Sequence, residues 1–341
     1  ILDIRGQPLE HGLSPPLLRR IAHHLAGDGQ VLLFLNRRGF SPTLICHDCG
    51  WIAECQRCDA RMTWHQQERR LRCHHCGSER PVTTTCPQCG GTELRPVGHG
   101  TERIAQALAT HFPDVPCLRI DRDTTRRRGE LHNRLEQARS GAARLLLGTQ
   151  MLAKGHHFPN VTLVGIVNAD QGLFGSDFRA SEHMAQLIIQ VAGRAGRAGR
   201  PGQVVIQTYH PDHPLLQLLT TRGYPAFARA ALAERAAAGL PPATHIALIR
   251  AEATQQALPG NFLETVRERV VTLDATQVEV WGPIPAAMER RAGRFRAQLL
   301  LQAAERGSLQ RLLGRLVREL ERAKSARRVR WSVDVDPADM F

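Results

Sequence analysis

Four C-x-x-C pairs, Cys46/Cys49, Cys55/Cys58, Cys73/Cys76 and Cys86/Cys89, hold eight of the nine cysteines of this chain within 44 positions. A C-x-x-C turn aims two thiolates at one cation, and two such turns complete the tetrahedral four-sulfur site that zinc prefers. Four turns therefore predict two zinc ions. Such sites leave no coordination position open, so both read as structural rather than catalytic. The competing reading is a disulfide framework, which belongs to small, secreted, loop-rich chains. No signal peptide precedes these cysteines, and the rest of the chain reads as a large cytosolic α/β protein.

Spacing favours one pairing. Between Cys58 and Cys73 lies a 14-residue gap, close to the hairpin spacing of a zinc ribbon. It alternates enough for two short strands around Met62, Trp64 and Leu71. Cys55, Cys58, Cys73 and Cys76 then form an inner site, and Cys46, Cys49, Cys86 and Cys89 close an outer one. This nested order brings both ends of the segment to one metal, as an insertion into another domain requires. Sequential pairing stays open but leaves a cramped link between Cys49 and Cys55.

The net charge is +13 over 341 residues. Eight thiolates and two zinc ions would leave roughly +9. A basic excess of that size favours a polyanion partner, most often nucleic acid; a merely solubilising surface is the alternative. No stretch of about 20 apolar residues is present, so no membrane span is expected and the location reads as cytoplasmic. The sequence opens on Ile1-Leu2-Asp3-Ile4, and the chain is expected to be a piece of a longer protein.

Periodicity divides the rest. Ser14-Pro15-Pro16 is a helix start, with Ser14 as N-cap and Leu17, Ile21 and Leu25 on one face, ended by Gly27-Asp28-Gly29. Val31 to Leu35 is a continuous apolar run, the pattern of a strand buried on both faces. After the cysteines, helices are predicted at 102–112, 126–140 and 182–192. Strands are predicted at 115–120, where Cys117 reads as core, and at 144–147, 162–167 and 204–207. Such alternation implies a parallel sheet with helices on both faces. A long helix over 224–238 follows. Strands at 246–251, 278–281, 298–302 and 329–335 with helices at 262–273 and 309–323 make a small α+β unit. The expected domains are 1–44 with 97–238, an inserted 45–96, and 239–341.

Gln190-Val-Ala-Gly-Arg194-Ala-Gly-Arg197 follows the 182–192 helix. This Q-x-x-G-R-x-x-R pattern resembles motif VI of superfamily 2 helicases. Two arginines three apart face one direction and can reach a γ-phosphate across a cleft. A basic surface turn is the plain alternative. Gly148-Thr149-Gln150-Met151-Leu152-Ala153-Lys154-Gly155 sits where a strand enters a loop and resembles motif V; strand ends of parallel sheets are where ligands bind. Asp170 ends the next strand, either orienting an arginine or an amide or facing solvent. The loop Asn36-Arg37-Arg38-Gly39-Phe40 suits motif IV.

Motif IV, paired cysteine knuckles, motif V, motif VI and a small C-terminal unit in that order resemble the PriA-type primosomal replication-restart helicases (primosomal protein N′), over their C-terminal portion. The carrying stretches are LFLNRRGF, CHDCGWIAECQRCD, LRCHHCGS, RIDRDTT, LLLGTQMLAKGHHFPNVTLV and QVAGRAGRAG. The resemblance implies a second RecA-like lobe with a two-zinc insertion, and the nested cysteine pairing. It implies an ATP-dependent 3′→5′ DNA helicase that acts at stalled or abandoned forks and assembles the primosome. Arg194 and Arg197 would be arginine fingers and Gln190 a sensor, with Gly148, Thr149 and Lys154 on the DNA backbone. Neither a G-x-x-x-x-G-K-[ST] phosphate loop nor a D-E-x-H box occurs, so ATP and Mg2+ would need a first lobe and this chain alone is expected to be inactive. The resemblance also implies partners: DNA forks and single strands, other primosome proteins, and single-stranded DNA-binding protein. The acidic tail of the last would dock on Arg306 and Gln310, near Arg290, Arg291, Arg294 and Arg296, over an apolar floor from Leu300 or the lobe. The reading from another class is a non-catalytic zinc-ribbon docking module on a RecA-like scaffold.

Overall fold

The computed structural model describes residues 1–35, 43–58, 60–65, 68–96, 100–121, 123–125, 127–153, 158–167, 169–175, 177–196, 201–273 and 276–340. The chain opens with β1 (Leu2–Asp3), α1 (Pro15–Ala26) and β2 (Gln30–Phe34). The cysteine segment carries β3 (Leu44–Cys46), β4 (Thr63–His65), β5 (Arg70–Arg72), β6 (Glu79–Pro81) and β7 (Leu94–Pro96). Then come α2 (Thr101–His111), β8 (Cys117–Ile120), α3 (Glu130–Arg139), β9 (Leu145–Gly148), α4 (Gln150–Ala153) and β10 (Val161–Ile166). They are followed by α5 (Ala169–Leu173), α6 (Ala180–Ala192), β11 (Gln203–Thr208) and α7 (Pro214–Ala237). The last part holds β12 (His245–Ala253), α8 (Ala257–Thr272), β13 (Val278–Arg291), β14 (Arg294–Ala303), α9 (Arg306–Arg322) and β15 (Arg330–Val335).

Six strands form one parallel sheet in the order β1-β11-β10-β2-β9-β8. The apolar run of β2 lies at its centre, buried at every position. Alternation splits its side chains. Val31 and Leu33 join Leu17, Ile21 and Leu25 of α1 on one face, while Leu32 and Phe34 join Met184 and Ile188 of α6 on the other. Ser14 caps α1 by accepting from the Leu17 amide at 3.4 Å, with Pro15 at the first helical position.

The last part is a four-stranded antiparallel sheet, β13-β14-β12-β15. Helices α8 and α9 cover one face, meeting Leu299 and Leu301 of β14; Leu248 and Leu300 point the other way, toward Phe178 and Met340.

Several boundaries differ from expectation. The helix predicted at 224–238 is preceded by another from Pro214, the two separated at Gly223, whose positive φ of 76° interrupts the run. The strand predicted at 278–281 runs on to Arg291. It lies at the sheet edge, where proline is tolerated; Pro283 falls in the register shift between Trp281 and Ile284, and Pro285 borders the one before Arg290. Arg290, Arg291, Arg294 and Arg296 therefore flank a hairpin turn at Ala292-Gly293 rather than all preceding one strand. The short α4 and α5 carry too few residues for a periodic signal.

Candidate functional site

The eight knuckle cysteines gather into two groups, Cys46, Cys49, Cys86 and Cys89, and Cys55, Cys58, Cys73 and Cys76, with the four sulfurs of each group within 4.8 Å of one another. In the outer group Cys46 Sγ lies 3.7 Å from Cys89 Sγ and Cys49 Sγ 3.7 Å from Cys86 Sγ. The inner separations are 3.6 Å for Cys55/Cys76 and 3.5 Å for Cys58/Cys73. A tetrahedron with Zn–S bonds of about 2.3 Å has edges of about 3.8 Å, whereas a disulfide needs about 2.05 Å. The spacing fits a cation and rules out a bridge. Backbone amides of Trp51, Arg57, Gln88 and Gly91 reach Cys49, Cys55, Cys86 and Cys89 Sγ at 3.4 Å, the donors that a thiolate accepts. Burial pushes the Cys49 thiol up to about 12; a divalent cation would offset that by holding the thiolate.

Local chemistry explains why the turns close as they do. Gly50, Gly77 and Gly90 each follow a knuckle at positive φ, 82°, 77° and 75°, and donate back to the carbonyls of Cys46, Cys73 and Cys86. The hairpin β4–β5, extended by β6, carries the inner site. The pair β3–β7 closes the segment at its base. Ile45 and Ile52 of that base are buried in the same core as Phe34 and Phe174 of the large sheet.

The motif residues lie at two different ends of the sheet. Gly148 and Thr149 stand at the C-terminal end of β9. A Cβ on Gly148 would sit 2.6 Å from the Ile120 carbonyl and 2.4 Å from Leu152, so this glycine permits the close turn into α4. Thr149 is half-buried and its carbonyl accepts from the Leu152 amide at 2.9 Å. Gln190 and Arg194 lie at the end of α6, where the Gly196 amide donates to the Val161 carbonyl at 3.1 Å, at the start of β10. Motif VI thus sits near the N-terminal edge of the strands and motif V at the C-terminal edge, on the side of the sheet that α4 and α6 share. Arg194 lies in the turn two residues past the end of α6; Gln190 is exposed, and so is Ile189 beside it at 43%. Lys154, Gly155, Arg197 and the 36–40 loop lie outside the described residues.

Asp170 does not face solvent, and among the described residues it pairs with a hydroxyl and an amide rather than an arginine. It is 2% exposed, accepts from Thr208 Oγ1 at 2.7 Å and takes the Tyr209 amide at 3.1 Å. Burial raises its carboxyl to about 6 against those hydrogen bonds. Tyr209 in turn puts its hydroxyl 3.1 Å from His47 Nδ1, inside the Cys46–Cys49 turn. Histidines inside the knuckles, His47, His74 and His75, were the sequence signal for such contacts. Arg306 and Gln310 are exposed on the first turns of α9. Leu300 cannot serve as their floor, because strand alternation points it to the sheet face opposite α9.

Comparison with known proteins follows the same division. Residues 55–81 match the PriA DNA helicase Cys-rich region (CRR) domain, 98–199 the helicase conserved C-terminal domain, and 236–338 the primosomal protein N C-terminal domain. The replication restart protein PriA of Haemophilus influenzae is 49% identical over 340 residues, covering 100% of this chain and 46% of that protein. That of Bacillus subtilis is 37% identical over 345 residues, covering 100% of this chain and 43% of its own length. The chain therefore spans less than half the length of these relatives.

Proposed function

This chain belongs to the PriA family of replication-restart proteins, and we propose from that membership that it is the C-terminal part of an ATP-dependent 3′→5′ DNA helicase that serves replication restart at stalled forks. Residues 1–44 with 97–238 would form the second helicase lobe, 45–96 a two-zinc insertion and 239–341 an accessory domain. The observation that carries the reading is the exposed end of α6, where Ile189 and Gln190 face outward just before the motif VI turn. An apolar residue beside a phosphate-seeking turn suits docking against a first lobe that holds ATP and Mg2+. Gln190, Arg194 and Arg197 would act there on the γ-phosphate. Thr149, at the opposite end of the strands, and Lys154 would follow the DNA backbone. The net positive charge supports a nucleic-acid partner. Exposed Arg306 and Gln310 would take the acidic tail of single-stranded DNA-binding protein, and fork recognition, primosome assembly and a cytoplasmic setting go with that role. No described helix is long and apolar enough to cross a membrane.

The decisive measurement is ATP turnover. The chain alone should show none. In the full-length protein Arg197→Ala should lower kcat about 10³-fold, with nucleotide affinity little changed. Turnover that tracks the isolated chain through purification, or a full-length Arg197→Ala protein with unaltered kcat, would refute the proposal and favour a docking module on an inert scaffold.

A further inference from the structure

The two metal sites touch different neighbours. In the outer site the Cys46–Cys49 turn faces the six-stranded sheet. The Gly6 amide donates to the His47 carbonyl at 2.9 Å, and His47 Nδ1 meets the Tyr209 hydroxyl at 3.1 Å. Gly50 passes so close that a Cβ would stand 3.0 Å from the Tyr209 carbonyl. In the inner site the Cys73–Cys76 turn faces β13 of the C-terminal sheet. His74 Nδ1 lies 3.3 Å from the Pro285 carbonyl, and the His75 ring lies 4.9 Å from the Trp281 ring. Gly77 runs against Ile284, where a Cβ would come within 2.9 Å of Cγ2. Arg72, just before the turn, approaches Glu289 at 4.0 Å.

These contacts come from one knuckle of each site. Two three-residue strands lead to the inner turn, too little regular structure to hold it in place. Its shape depends on the four sulfurs having a common centre. A cavity of about 570 Å³ lies beside it, lined by Cys58 and His75 of the segment, Phe178 and Leu215 of the large-sheet part, and Trp281 and Leu300 of the C-terminal sheet. Around this cavity the three parts do not close on one another, although Phe178 packs on Leu248 and Leu300, and the inner turn stands as a prop at their junction. A separate tie lies at the far side, where the Met340 amide donates to Asp177 at 3.1 Å and Arg179 donates to the Pro337 carbonyl.

We propose that the two metal sites divide the anchoring of this molecule: the outer site seats the cysteine segment on the large sheet, and the inner site seats the C-terminal sheet on the segment. The 336–340 tie keeps the C-terminal sheet tethered when the inner site is lost, so the expected change is local loosening along β13 rather than separation.

Backbone hydrogen exchange on the zinc-loaded full chain, with zinc content measured in parallel, tests this. The double variant Cys73→Ser/Cys76→Ser should hold one zinc. It should exchange at least tenfold faster at Trp281, Ile284 and 286–289, with Tyr209 and His210 unchanged. Cys86→Ser/Cys89→Ser should also hold one zinc but show the reverse, with faster exchange at Tyr209 and His210 and an unchanged β13. Wild-type protection along β13 in the inner variant, or the same pattern in both variants, would overturn the proposal. Ile284→Asp covers the case in which the inner variant fails to fold, because it leaves every cysteine in place. It should keep two zincs and raise exchange at 74–78 on the other side of the contact. Unchanged exchange there would also overturn the proposal.

Discussion

The cysteine segment and the C-terminal sheet are both antiparallel, yet different forces hold them. Among the described residues the segment's own core is Leu44, Ala53, Met62, Leu71 and Cys73. The C-terminal core runs from Ala247 through Leu299, Leu301, Leu309 and Leu316 to Ala326, over four strands of six to fourteen residues and two long helices. A core as small as the first cannot fix a segment of about 50 residues without cross-links. Metal replaces apolar area there. In the C-terminal sheet, α8 and α9 supply that area, with Leu309, Leu312, Leu313 and Leu316 of α9 on one face. Ion pairs within the segment do not make up for its small core. Arg72 reaches Glu68 at 3.0 Å and Glu79 at 2.5 Å, but both carboxylates keep solvent access, and such pairs contribute about 0–1 kcal/mol.

Chelation should separate the two regions most sharply. Structural four-thiolate zinc sites contribute apparent free energies of about 10–16 kcal/mol each at neutral pH. The purified chain should carry two zinc ions, and a strong chelator should release both. Eight thiols should then become reactive, and amides over 45–96 should exchange as in an unfolded chain. Amides of Leu299, Leu301 and Leu316 should stay protected. Simultaneous loss of protection in both regions would mean that the C-terminal sheet also depends on metal. Atomic absorption finding fewer than two zincs in protein never exposed to chelator would remove the basis of the comparison.

A second change should act on the other region alone. Leu316 has no exposed surface and packs among Leu299, Leu301 and Leu312. Leu316→Ala should cost about 2–5 kcal/mol through lost transfer energy and the cavity left behind. The urea midpoint of Trp331 fluorescence should fall in a variant with that residue as sole reporter of the sheet, while zinc content stays at two. A variant that loses zinc together with sheet stability would couple the regions more tightly than the contacts at Pro285 and Ile284 suggest.

What the sequence made legible follows from the same division. Cysteine spacing marks both metal groups, because a C-x-x-C turn is a local device whose geometry needs no knowledge of the rest. The face of α1 and the double burial of β2 follow from periodicity alone. Periodicity names a face but not what covers it. It could not say that Leu300 points away from α9, that Ile45 and Ile52 enter the core of the large sheet, or that His74 lies under Pro285. Motif V and motif VI carry separate expected roles in sequence, but their spacing does not say where each lies on the sheet. The parallel register places them at opposite strand ends, since α6 runs back down the sheet before its motif begins. Asp170 reads in sequence as orienting an arginine or an amide, or as facing solvent. Only the return of β11 beside β10 brings Thr208 and Tyr209 onto it.

Asp170 yields the smallest prediction, and its sign distinguishes the large sheet from the metal-held segment resting on it. Burial raises its carboxyl from 3.8 to about 6. Between those values the native state holds a proton that the unfolded chain has lost, so stability from this group falls as pH rises through the window and is flat above it. Acidification from pH 7 to 5 should therefore favour the sheet by about 1 kcal/mol through Asp170. The metal sites respond oppositely, because protons compete with zinc for thiolates as pH falls. His213, pushed down to about 4 by burial, also loses stability in acid, but it acts equally in parent and variant and cancels in their difference. Asp170→Asn keeps an acceptor for Thr208 and the Tyr209 amide while removing the titration. Exchange of the Val205 and Ile206 amides, corrected for the intrinsic effect of pH, should show parent and variant drawing apart in the parent's favour as pH falls from 7 to 5. Zinc content measured alongside should fall equally in both. Parallel profiles for the two proteins would show that Asp170 stays ionised throughout this range and that its hydrogen bonds from Thr208 and Tyr209 outweigh its burial.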